Sequence, residues 1–272
     1  MTDATPGRRA RLTPGPRLTR LAMSWAVPFG LFVVWEIGAR IGLISPHVMP
    51  APSRVALTAW ELAKSGELGQ HLGASLLRAA AGFVVGGAIG FVLGVMVGFS
   101  ALAQALLDRS IQMIRAIPFL ALLPLVIIWF GVGEGAKIFL VALAVVFPIY
   151  INTVLGMRQI DPKLMELAKV TGLGWRAIVR RIILPGAMPS VLSGVRYALA
   201  QAWLALIIAE TLATTRGIGF LAMDAREFLQ TDMILLTIVI YSIIGVGADA
   251  LTRLLEQRLL AWHPNFSKET RT

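Results

Sequence analysis

The sequence predicts an all-α polytopic membrane protein with six transmembrane helices. Three observations carry this expectation. Hydrophobic residues make up 57% of the 272 and charged residues 15%, against about 25% charged in an ordinary soluble domain. Mean hydropathy is +0.75. The apolar residues gather into six runs, each near the length of about 20 residues that a bilayer-spanning helix needs.

The elements follow in order. Residues 1–21 form a basic tail with Arg8, Arg9, Arg11, Arg17 and Arg20. The first apolar run, 22–44, carries Glu36 and Arg40 four residues apart, which predicts an ion pair on one helical face. It is long and lacks a small-residue cleavage pattern, so we expect a retained signal anchor. Ser53 to Lys64, after Pro50 and Pro52, reads as a surface helix. The second run, 74–99, places Gly82, Gly86, Gly90, Gly94 and Gly98 every four residues. Such a stripe lets helix backbones approach closely in lipid; packing within the subunit or at a subunit interface is expected, with a pore-lining stripe as the alternative. The third and fourth runs, 111–131 and 136–157, flank Gly131-Val132-Gly133-Glu134-Gly135, a tight turn. A polar basic loop, 158–185, precedes the fifth and sixth runs, 186–212 and 233–255, and 261–272 forms a second tail. Residues 22–260 thus make one transmembrane domain.

Lys and Arg set the orientation. The N-terminal tail, the 158–185 loop, Arg109 and the C-terminal segment from Arg253 onward carry sixteen basic residues, while the segments on the other side carry five: Arg54, Lys64, Lys137, Arg216 and Arg226. Both termini and the loop are therefore expected in the cytoplasm. The net charge of +10 is explained by juxtamembrane residues facing anionic headgroups, so nucleic acid is not an expected partner. The absence of Cys removes disulfides, thiol catalysis and Cys-based metal sites. No metal site is expected, and no G-x4-G-K-[ST] phosphate loop is present, so any ATP-driven motor must be another chain.

Ionisable residues within spans are functional candidates by default. Arg115 lies near the inner end of the third run, and Arg196 lies in the fifth, about 16 Å along the axis from Pro185 at 1.5 Å per residue. Either can attract an anion in a substrate pathway or serve in a structural pair. Arg78, Asp249 and Glu210 lie near span ends, where the first two can reach an interface.

Within the polar loop, Asp161 suits a helix N-cap and Pro162 the first helical position, and Gly172 or Gly174 can end that helix. It presents Leu164, Leu167 and Ala168 on one side, a shape suited to a partner's groove. A second short helix, Trp175 to Ile183, has Trp175, Ile178, Val179 and Ile182 at helical spacing with Arg176 and Arg180 opposite. It is expected at the membrane surface, with anchoring and direct partner contact both open.

Glu166, Ala168, Gly172, Ile182, Leu184 and Pro185 stand at the spacing E-x-A-x3-G-x9-I-x-L-P. This resembles the EAA loop of permease subunits of binding-protein-dependent ABC importers; Leu167 departs from that loop's second Ala. The resemblance implies the type I ABC importer permease fold in the inner membrane. It also implies a coupling helix in which Leu164, Glu166, Leu167, Ala168 and Gly172 meet an ATPase subunit. The segments 65–78, 106–131, 137–153 and 209–232 resemble aliphatic sulfonate permeases and, less closely, taurine and nitrate permeases. The resemblance further implies a homodimer, two ATPase copies that bind ATP and Mg, and a periplasmic or lipid-anchored binding protein, which residues 45–72 and 211–232 can receive. This chain would then perform no chemistry. A self-sufficient secondary transporter would show a repeat between its halves with broken helices at matching positions. A membrane enzyme would need convergent catalytic groups, whereas His47, His71 and His263 all fall in or beside loops.

Overall fold

The computed structural model describes residues 17–211 and 214–262, with side chains from Trp25 onward. These residues are helical without a strand: α1 (Arg17–Arg40), α2 (Pro52–Ser65), α3 (Glu67–Phe99), α4 (Ala101–Arg115), α5 (Phe119–Phe130), α6 (Glu134–Arg158), α7 (Pro162–Val170), α8 (Trp175–Glu210), α9 (Ile218–Glu227) and α10 (Thr231–Leu259). Most of the basic tail 1–21 and of the tail 261–272 lies outside the described residues, although Arg17 to Leu21, assigned to the first tail, already belong to α1.

Helices α3, α6, α8 and α10 are long and apolar enough to cross a membrane, and the bent pair α4–α5 makes a fifth when its two arms are taken as one span. Helix α1, of 24 residues, is roughly 36 Å long at 1.5 Å per residue, and Phe29, Leu31 and Val34 along it are exposed. It stands as the candidate for the sixth.

Helix α6 is the centre of the bundle, packed on one side by α3 and on the other by α8. Val141, Val145 and Ile149 recur every fourth residue and meet Ala198, Ala202 and Leu206 of α8. The glycine stripe of α3 also faces α6. A Cβ at Gly82 would lie 2.5 Å from Val141 Cβ, and one at Gly94 2.6 Å from Thr153 Cβ; Gly86 and Gly90 sit directly on the Ala142 and Val146 carbonyls. The stripe is thus occupied within the subunit, where only hydrogen atoms fit between the backbones.

Three expectations need correction. The third span, expected as one run over 111–131, is the pair α4–α5, bent by 85°. Pro118 has no N–H to donate and disfavours helical geometry at Ile117, and its own backbone is extended, at ψ 122°. The crossing begins earlier, at Ala101, where the Ser100 hydroxyl accepts from the Ala103 amide at 3.2 Å. Arg115 therefore sits at the break between α4 and α5. The second short helix of the loop, expected at the membrane surface, is instead the first turns of α8: Trp175–Ile178 continues through a π-helical segment, Val179–Ile183, into Leu184–Glu210. Pro185 falls in the first turn of that last segment, where a missing N–H costs little, so it does not interrupt the chain. Arg78, expected to reach an interface from a span end, is buried.

Candidate functional site

The helix–glycine unit at one end of the bundle is built from local signals. Asp161 Oδ1 accepts from the Lys163 amide at 2.9 Å, and Pro162 opens α7. The helix closes with Gly172 at φ +69°. The Leu173 amide reaches back to the Ala168 carbonyl at 3.0 Å and the Gly172 amide to Lys169 at 3.1 Å, a left-handed cap that favours glycine. Gly172 has open space around its Cβ position, so its requirement is conformational rather than steric.

Leu164, Glu166, Leu167 and Val170 are exposed, whereas Ala168 is buried against Ile178 and Ile183 of α8. Ala168 lies one turn beyond Leu164 on the flank expected for both, but it is buried while Leu164 and Leu167 are exposed. Its small side chain lets α7 sit close on the first turns of α8, and Leu164 and Leu167 form the free ridge. Val179 and Ile182 pack against the same cluster. Trp175 stands edge-on to Phe99, with ring centroids 5.5 Å apart. The first turn of α8 thus touches the end of α3 through Trp175.

The opposite end of the bundle holds an ion network in which Arg78, Lys137 and Glu210 are buried and Glu134 is exposed. Arg78 Nη1 lies 2.8 Å from Glu210 Oε1, and Arg78 Nη2 lies 2.8 Å from Glu134 Oε1. Lys137 Nζ reaches Glu134 at 3.1 Å. The Ser75 hydroxyl donates to Glu210 at 2.8 Å and accepts from the Ile218 amide at 2.9 Å. The Gly219 amide donates to Glu210 at 2.9 Å, and the Gly217 amide donates to His71 Nδ1 at 3.0 Å. Two cations and two carboxylates thus tie α3, α6 and α8 to the start of α9. Sequence reasoning noted Arg78 and Glu210 singly but missed the network; opposite charges at the ends of three apolar runs were the available signal.

The two pathway candidates differ. Arg196 Nη2 binds Glu256 Oε2 at 2.6 Å and its Nε lies 3.6 Å from Asp249, which joins α8 to α10. Arg115 is exposed, with the Gln112 side-chain oxygen at 3.3 Å, and lines a cavity at the α4–α5 break. Glu36 and Arg40 form the expected pair, which also holds Ser53 at the start of α2.

The described residues thus form a bundle of apolar helices long enough to cross a membrane, with the short amphipathic helix α7 exposed at one end. Residues 86–261 match the family described as binding-protein-dependent transport system inner membrane component, and the chain belongs to that family. It is a multi-pass inner-membrane permease of an ABC importer. A protein of Escherichia coli (strain K12) named as an aliphatic sulfonates transport permease, SsuC, is 50% identical over 254 residues, covering 93% of this chain and 97% of that one. A Bacillus subtilis (strain 168) protein of the same name is 40% identical, covering 96% and 95%. The Escherichia coli taurine transport system permease protein TauC is 36% identical, covering 86% of each chain. Among solved structures, an inward-facing form of the MetNI methionine ABC transporter matches with a TM-score of 0.52 at 21% identity, covering 72% of this chain and 97% of that one. That likeness establishes the fold.

Proposed function

We propose that the chain is the membrane-spanning subunit of an ATP-driven importer of aliphatic sulfonates. One observation carries the substrate: identity is 50% to a relative named for aliphatic sulfonates and 36% to one named for taurine, each over most of both chains.

Two copies of the chain form the pathway. ATP and Mg are bound by separate ATPase subunits, and a periplasmic or lipid-anchored binding protein delivers substrate. The exposed Leu164–Leu167 ridge with Glu166 inserts into a groove of the ATPase, a mode in which apolar side chains of a short helix act as anchors. Gly172 fixes the exit of that helix, and the buried Ala168 seat transmits its displacement to α8. ATP binding draws the ATPases together and tilts the two subunits outward, and hydrolysis resets them. The permease is a two-state element whose equilibrium its partners bias.

Both termini and α7 face the cytoplasm in this reading, supported by the excess of Lys and Arg on that side. Reporter fusions at residues 66, 172 and 224 should give a cytoplasmic signal at 172 alone. For the substrate, a strain lacking its own sulfonate permease should grow on an alkanesulfonate as sole sulfur source when this chain is supplied with its ATPase and binding protein. Growth on taurine alone would move the chain to the taurine branch.

A further inference from the structure

The break between α4 and α5 opens a cavity of about 390 Å³, whose lining includes Arg115, Pro118 and Phe119 at the break, Phe147 from the middle turns of α6, and Gln201 from α8. Its size falls within the range of about 300–1,000 Å³ usual for small-ligand sites. Arg115 and Gln201 are its hydrogen-bonding side chains; the rest of the wall is aliphatic or aromatic. Arg78 and Arg196 are each neutralised by carboxylates, but Arg115 takes part in no ion pair among the described residues. An unpaired guanidinium at a break between two apolar membrane helices is costly unless it faces a wet path or an anion. Backbone that leaves the helix at such a break is likewise tolerated where it lines a cavity.

We propose that this cavity is a transient subsite for an alkanesulfonate on its way through the permease. Arg115 and the Gln201 amide donate to the sulfonate oxygens, and Phe119 and Phe147 flank the alkyl chain. A guanidinium fork matches the spacing of oxyanion oxygens. A small inorganic anion would leave the apolar wall without a partner, and a tail ammonium would meet no carboxylate there. Because Arg115 is exposed, the bound anion stays exchangeable, as a conduction site requires. The proposal rests on the sulfonate reading above.

The test uses the full complex with its ATPase and binding protein in proteoliposomes. Arg115→Gln and, on the opposite wall, Gln201→Ala should each lower kcat/KM for alkanesulfonate uptake by about tenfold or more, the size of a lost charge-assisted hydrogen bond. The number of sulfonates moved per ATP hydrolysed should fall with it. Arg115→Lys should retain more uptake than Arg115→Gln, and Phe147→Ala should change the ratio of octanesulfonate to ethanesulfonate transport. If Arg115→Gln does not assemble, Gln201→Ala decides alone. Unaltered uptake and chain-length preference in assembled variants overturn the subsite while leaving the substrate reading intact. A wild-type complex that imports no alkanesulfonate overturns the substrate reading and the subsite with it.

Discussion

Replacing Gly86 by alanine measures how closely α3 and α6 are fitted. A methyl group there would meet the Ala142 carbonyl head-on, with the carbonyl carbon and Cα both at 2.8 Å. Those atoms are backbone, so the helices must part by on the order of 1 Å, which forfeits a quarter to a half of each dispersion contact along the seam. Overpacking of this kind costs about 1–3 kcal/mol, offset by up to about 1 kcal/mol from alanine's better helix propensity. We expect Gly86→Ala to destabilise the chain by about 1–2 kcal/mol. Gly73, on the same helix, has nothing within 4 Å of its Cβ position, so Gly73→Ala should be neutral or stabilising. Gly87 meets the flexible end of Ile149 at 3.3 Å and should fall between them. Thermal unfolding of the three variants in one detergent checks the order. Equal stability of Gly86→Ala and Gly73→Ala would refute the close-packed seam.

Arg78→Met should lower stability by about 3–5 kcal/mol, because it strands the buried Glu210 carboxylate, and adding Glu210→Gln should recover part of the loss; both are read by thermal unfolding. Gly172→Val forces a β-branched residue to φ +69°, at a cost of about 1–2 kcal/mol. Uptake should collapse while membrane fractionation still finds the chain inserted, and normal uptake would remove Gly172 from the coupling unit. Arg196→Gln should reduce the yield of assembled complex along with transport, since the residue joins α8 to Glu256 of α10. Transport lost at full yield would return Arg196 to the pathway.

Apolar run length and the spacing of small residues were enough to read the four long apolar helices α3, α6, α8 and α10, the α3 glycine seam and the α7 caps, because each depends on neighbours a few positions away. The break at Pro118 was not read, since a hydropathy run has the same appearance whether it is straight or bent. The merging of Trp175–Ile183 into α8 escaped notice because the polar residues Arg176, Arg180 and Arg181 mark a surface but say nothing about helix continuity. Ala168 shares a flank of α7 with Leu164, as the spacing implies, but only the packing of Ile178 and Ile183 against it shows that it is buried. The network of Arg78, Glu134 and Glu210 joins residues as far as 132 positions apart, so no local pattern announces it. Gln201 gave no sequence signal at all; it becomes a candidate only when the bend of another helix opens a cavity in front of it.

The central claim is that this permease, with an ATPase and a binding protein, imports aliphatic sulfonates at the expense of ATP. Accumulation of a labelled alkanesulfonate in proteoliposomes holding the complete complex tests it most directly. Accumulation against a gradient that needs both ATP and the binding protein, and that unlabelled alkanesulfonate suppresses more than taurine or nitrate, is the predicted result. Accumulation that proceeds without ATP, or that taurine or nitrate suppresses more strongly, would contradict it.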